Sequence, residues 1–146
     1  MEHKIDDRHL TSAGSGKVVT FNEAEDLGAF ELARQWADRV SWPALDCSAA
    51  GELAELAYMS ALTRWLARWL PIHIHRAILV GAEPEGVAVA LGESVAEAFA
   101  RWHSWATGQR DVLICGKPGV TAEEYETVER VFAAAGVTVP GEEPRP

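Results

Sequence analysis

Residues Ile72–Trp105 read IHIHRAILVGAEPEGVAVALGESVAEAFARWHSW, and the fold turns on how this stretch is divided. Gly81 suits a position just past a helix end. Glu83-Pro84-Glu85 then places a proline near a first turn with acids beside it, a good helix start. That segment runs through Val87–Leu91 to Gly92. Ser94 is a good N-cap, and Glu97, three residues on, completes a capping box. Val95, Ala98, Phe99, Trp102, Trp105 and Ala106 follow at helical spacing, and the expected helix face carries on to Val112 and Leu113. The pattern predicts a helix, a short helix, a tight turn and a longer helix. Its least determined piece is Ile72–Val80. As a strand it would alternate, with His73 and His75 on one face; as a helix, Ile72, Ala77, Leu79 and Val80 only partly share a face.

Outward from this stretch, Ser48 is a candidate N-cap with Gly51-Glu52 in the first turn. Leu53, Leu56, Ala57, Met59, Leu62, Trp65, Leu66, Trp69 and Leu70 then form a broad apolar face, with Trp65 and Trp69 one turn apart. Pro71 is expected to stop that helix or to start the next. Upstream, Asn22 with Glu23, Glu25 and Asp26 reads as an N-cap and an acidic first turn. One helix carrying Leu27, Phe30, Leu32, Ala33, Trp36, Ala37 and Val40 follows, ended by Trp42-Pro43. Lys17–Phe21 (KVVTF) reads as a short strand or part of an extended arm, and residues 1–16 as a polar tail. Downstream, Thr121 and Glu124 form a second capping box. Tyr125, Val128, Val131, Phe132 and Ala135 line that helix, and Gly136 ends it, followed by a loose tail.

The fold class read from these elements is mainly α, a helical bundle with a central tri-helical unit. The expected organisation is a tail over 1–20, a helical part over 21–70, the tri-helical unit over 71–114 and a helix with its tail over 115–146. An α/β three-layer alternative treats HRAILVG, DVLIC and VTV as parallel strands separated by helices.

Val87–Trp102 resembles the helix-turn-helix of bacterial DNA-binding regulators, including small actinobacterial ones. In that family a small residue sits in the first helix, here Ala88, because the two helices cross closely. A glycine four residues later makes the turn, here Gly92, where positive φ carries no Cβ penalty. Leu91 precedes it and Ala98 lies six residues past it. Two positions depart from the pattern: Glu93 stands where an apolar residue is usual, and Ala98 where a larger aliphatic one is. The resemblance implies that the second helix reads base edges, with Arg101 the first candidate and Ser94, Glu97, His103, Ser104 and Gln109 on or beside its outer side. Arg76, Arg110 and Lys117 would then hold phosphates. It implies double-stranded DNA as partner, a homodimer, and no cofactor. The tryptophan-bearing faces of Leu53–Leu70 and Ala98–Leu113 are candidates for the dimer interface.

Charge tempers this. The chain of 146 residues carries a formal net charge of −9, and phosphate neutralisation needs cations. Residues 1–59 hold five basic and eleven acidic groups, residues 60–117 six and five, and residues 118–146 two and six. The central part is therefore the least acidic, and affinity for DNA is expected to be modest and to fall with salt. Six tryptophans invite stacking on single strands, but their places on apolar helix faces favour core or dimer packing.

Other chemistries find little footing. His73 and His75, with His103 or Cys115, converge on a metal only if their segment is a strand. On a helix the two imidazoles point about 200° apart. SAGSGK at Ser12–Lys17 and Gly116-Lys117 both lack the rest of a phosphate loop. No G-x-S-x-G elbow occurs, and nothing beside Cys115 marks a catalytic thiol. Cys47 and Cys115 have no metal-type spacing and read as reduced thiols. No apolar run reaches the roughly 18 residues of a membrane span, and MEHKIDDRHL is unlike a secretory signal. The sequence is thus read as a cytoplasmic DNA-binding regulator without a catalytic or metal site. The alternatives are an acidic helical module that binds a basic protein, as antitoxins or immunity proteins do, and a small α/β enzyme.

Overall fold

The computed structural model describes residues 19–41 and 48–139. Six helices and one two-stranded hairpin occur among them, in the order α1 (Phe21–Glu25), α2 (Ala29–Ser41), α3 (Ala49–Leu79), α4 (Pro84–Leu91), α5 (Val95–Gln109), β1 (Leu113–Ile114), β2 (Lys117–Pro118) and α6 (Ala122–Ala134). The fold is mainly α. HRAILV belongs to α3, DVLIC enters the antiparallel hairpin in which Leu113 pairs with Pro118 and Ile114 with Lys117, and Val137–Val139 form no strand. The α/β alternative is therefore set aside. No helix of the described residues is long and apolar enough to cross a membrane.

The chain divides into two compact units, Met1–Trp65 and Leu66–Pro146, with the division inside α3. In the first, Thr20 caps α1: its Oγ1 accepts from the Glu23 backbone while Glu23 reaches back to the Thr20 backbone N–H. The N-cap is thus Thr20 rather than Asn22, and Val19–Thr20 form no strand. The single helix expected from Asn22 is two, because Gly28 adopts φ 75° and reverses the backbone before Ala29. Ala24, Leu32, Ala54, Tyr58 and Ala61 form the core, with Phe21, Leu62 and Trp65 packed on it. Trp65 Nε1 donates to the Glu25 carbonyl at 3.2 Å. Ser48 Oγ accepts from the Gly51 N–H at 3.1 Å, as its cap reading requires. The proposed stop at Trp42-Pro43, the residues 1–18 and Cys47 lie outside the described residues.

In the second unit Pro71 does not end a helix; it lies inside α3. An internal proline removes one backbone hydrogen bond and crowds the preceding turn, at about 3 kcal/mol or more. The turns beyond it offset that cost by burying Ile74 and Ile78 in a core with Val87, Phe99, Trp102, Val128 and Phe132. Each fully buried side chain of that size contributes about 1.5–3 kcal/mol. Tertiary packing therefore carries the helix through the proline, and Ile72–Val80 is the end of α3 rather than a helix of its own. α5 stops at Gln109, so Val112 and Leu113 are exposed residues of the turn and hairpin instead of helix-face residues. Thr121 and Glu124 form the expected capping box of α6, and Gly136 follows its end at φ 83°.

Candidate nucleic-acid interface

The turn between α4 and α5 is built from backbone outward. α4 opens on Pro84 and closes on Gly92 at φ 68°, ψ 29°. The Gly92 N–H donates to the Val89 carbonyl at 3.3 Å and the Glu93 N–H to the Ala88 carbonyl at 3.1 Å. Two otherwise unsatisfied carbonyls are thereby paired in a left-handed cap that only glycine enters freely. Ala88 and Val87 are buried, consistent with a close crossing that needs a small side chain.

Two residues later Ser94 starts α5. Its Oγ accepts from the Glu97 N–H at 3.2 Å, and the Glu97 carboxylate accepts from the Ser94 N–H at 2.8 Å and the Ser94 hydroxyl at 2.7 Å. These bonds from the Ser94 backbone and side chain hold the Glu97 carboxyl below its ordinary pKa. Glu97 and Ser94 are thus occupied with each other.

The inward side of α5 is locked by aromatic packing. Trp102 is fully buried, and its Nε1–H donates to His75 Nδ1 of α3 at 3.2 Å. Accepting at Nδ1 requires that nitrogen to be unprotonated, so the neutral ring carries its proton on Nε2. Burial pushes the His75 pKa down, Glu124 opposing and Arg76 assisting. The His75 ring meets Trp105 edge-on at 5.6 Å, and Trp102 lies 5.2 Å from the Tyr125 ring of α6. His73, two residues before His75, is exposed. Among the described residues no three His, Cys, Asp or Glu side chains cluster as a metal site needs.

The outward side carries Ala96, Ala100, Ser104 and Gly108 at four-residue spacing, all exposed, with Glu97 and Thr107 beside them. The structure distributes the expected contact residues unevenly about it. Arg101 is half-buried and its guanidinium is bound to the Glu93 carboxylate through Nη2, with Nε at 3.4 Å. His103 packs against Phe99 at 5.4 Å on the edge of the aromatic cluster. Gln109 is half-buried against Gly119, where a Cβ would fall 2.8 Å from its Oε1. Arg110 is exposed and lies over the Tyr125 ring at 4.9 Å. Lys117 is exposed in β2 and Arg76 is exposed on α3. Glu93 is the residue that sequence reasoning missed as a partner. Its position, eight before Arg101 and across the turn, is no helical neighbour spacing, so periodicity alone gives no sign of it.

Comparison with protein-family models, curated proteins and solved structures finds no match.

Proposed function

We propose that the protein is a small DNA-binding regulator that lays α5 in the major groove of duplex DNA and works as a homodimer. The observation that supports this most is the pairing of a fixed α4–turn–α5 unit with an uncovered outer strip on α5. A groove about 12 Å wide admits a helix of about 10–12 Å diameter. Small residues along the strip let the backbone come close to base edges. The Ala96 and Ala100 methyls suit thymine methyl groups, and the Ser104 hydroxyl can donate or accept. Arg101 is the base-edge cation once Glu93 releases it. Arg76, Arg110 and Lys117 are the phosphate contacts. This reading carries with it a cytoplasmic location.

The excess of acid over base limits affinity, so binding belongs at low ionic strength. The test is anisotropy of a fluorescent duplex of mixed sequence at about 50 mM salt, where electrostatic attraction is strong. Wild type should bind, and Arg101→Ala with Arg110→Ala should not. Absence of binding by wild type overturns the reading.

One observation favours a second reading, contact with another protein. The only cation of α5, Arg101, is already neutralised by Glu93, and the charged residue nearest the strip is Glu97. A face of small uncharged residues with one acid also fits a protein surface.

A further inference from the structure

Within the second unit, the end of α5, the base of the hairpin and the start of α6 enclose a cavity of about 340 Å3, lined by Thr107, Arg110, Asp111, Pro118, Val120 and Ala122. That size falls within the roughly 300–1,000 Å3 of small-molecule sites. Backbone bonds hold its walls together. The Gly119 N–H donates to the Val112 carbonyl at 2.8 Å and the Val112 N–H to the Gln109 carbonyl at 3.3 Å, which ties the base of the hairpin to the end of α5. Val120 belongs to the buried core.

The polar groups of the cavity are of two kinds. Arg110 supplies donors. Its guanidinium lies over the Tyr125 ring at 4.9 Å, so the ring supports one face of the fork and leaves the edge N–H groups for a ligand. Asp111 and Thr107 supply acceptors. The Thr107 hydroxyl gives its proton to the His103 carbonyl at 2.8 Å, which leaves its oxygen lone pairs to accept. Arg110 and Asp111 are exposed, and neither makes an ion pair with the other or with any described residue. Pro118, Val120 and Ala122 add an apolar wall. A simple anion would meet repulsion from Asp111 here and a simple cation repulsion from Arg110, whereas a small molecule carrying both charges satisfies both.

We propose that this cavity binds a free α-amino acid with a short apolar side chain. Its carboxylate accepts two parallel N–H···O bonds from Arg110. Its ammonium donates to the Asp111 carboxylate and the Thr107 hydroxyl oxygen, and its side chain packs against Pro118, Val120 and Ala122. This inference goes beyond the DNA reading and does not rest on it. Arg110 is a phosphate contact in that reading, so a bound amino acid and a duplex would compete for it.

The probe is L-valine, titrated near neutral pH into the full chain and followed by amide NMR. Amides of residues 107–122 should shift and saturate with a Kd on the order of 1 mM or tighter. Isovalerate, which lacks the ammonium, and isobutylamine, which lacks the carboxylate, should each bind about tenfold more weakly. Arg110→Gln and Asp111→Asn should each raise the Kd for L-valine about tenfold. Both positions are exposed, and circular dichroism verifies that each variant folds. No saturable shift at about 10 mM L-valine, ten times the expected Kd, overturns the site. Isovalerate or isobutylamine binding as tightly as L-valine overturns the amino-acid assignment. An affinity unchanged in both variants overturns this cavity as the place of binding. No duplex enters the experiment, so its failure leaves the DNA reading standing.

Discussion

Replacing His75 with leucine tests the packing that holds α5 in place. Trp102 Nε1–H is fully buried and His75 Nδ1 is its acceptor. Leucine fills comparable space but accepts nothing, so the indole N–H is left in an apolar core with no partner. That penalty is about 1–3 kcal/mol. A more apolar side chain at the position returns part of it, so a net loss of about 1–2 kcal/mol is expected from the same balance. Urea unfolding at pH 7.5, followed by tryptophan fluorescence, reads this as a lower midpoint with an unchanged slope. The pH dependence gives an independent check. The folded chain holds His75 neutral by burial, below its ordinary pKa, while the unfolded chain protonates it near pH 6.5. The unfolded state therefore binds the proton first as pH falls. The stability His75 contributes is complete above about pH 7 and drains away below about 6.5 toward the depressed folded value. His75→Leu should lack that slope. Glu97, whose carboxyl is held low by its capping hydrogen bonds, loses its contribution only below its ordinary range, near pH 4.5 and under, and should behave alike in both proteins. Equal midpoints at pH 7.5 together with parallel pH profiles would refute the reasoning.

Three further outcomes follow from the turn and its neighbours. Gly92→Ala should cost about 1–2 kcal/mol in the same urea assay, because a Cβ at φ 68° meets the left-handed penalty. No atom stands within 4 Å of that Cβ, so Gly92→Asn should cost less; equal losses would implicate packing rather than backbone. Ser94→Ala should cost about 1 kcal/mol through loss of the α5 cap, while a Ser94→Asp variant stays within a few tenths of wild type. Glu93→Gln should free Arg101 and raise duplex affinity measured by anisotropy, whereas Arg101→Ala lowers it; if Glu93→Gln leaves affinity unchanged, Arg101 makes no contact with DNA.

Local chemistry made the turns readable in the sequence. Gly92, Ser94–Glu97, Thr121–Glu124 and Gly136 each need a particular backbone or hydrogen bond, and each stands where the structure uses it. What depends on distant packing was not readable. Pro71 signals a stop to its neighbours, and only the core beyond it explains why the helix continues. Val112 and Leu113 keep the apolar period of α5 after the helix has ended. The apolar face expected over Leu53–Leu70 is really several: Ala54, Tyr58 and Ala61 are buried, whereas Leu53, Leu56, Met59 and Leu66 stay exposed. A period alone does not say which side of so apolar a helix finds a partner. Of the residues expected on the outer side of α5, Glu97 and Ser104 are exposed, whereas Arg101, His103 and Gln109 are half-buried. The state of Arg101 was not readable either, because the Glu93 contact crosses the turn.

The salt dependence of duplex binding tests the central proposal most directly. Three phosphate cations per protomer predict a slope of log K against log salt of about −2.7 for one bound protomer and about −5.4 for two. Replacing Arg110 and Lys117 with alanine should reduce the magnitude by about 1.8 per protomer. No measurable binding at low salt, or a slope that those replacements leave unchanged, would contradict the docking of α5 in DNA.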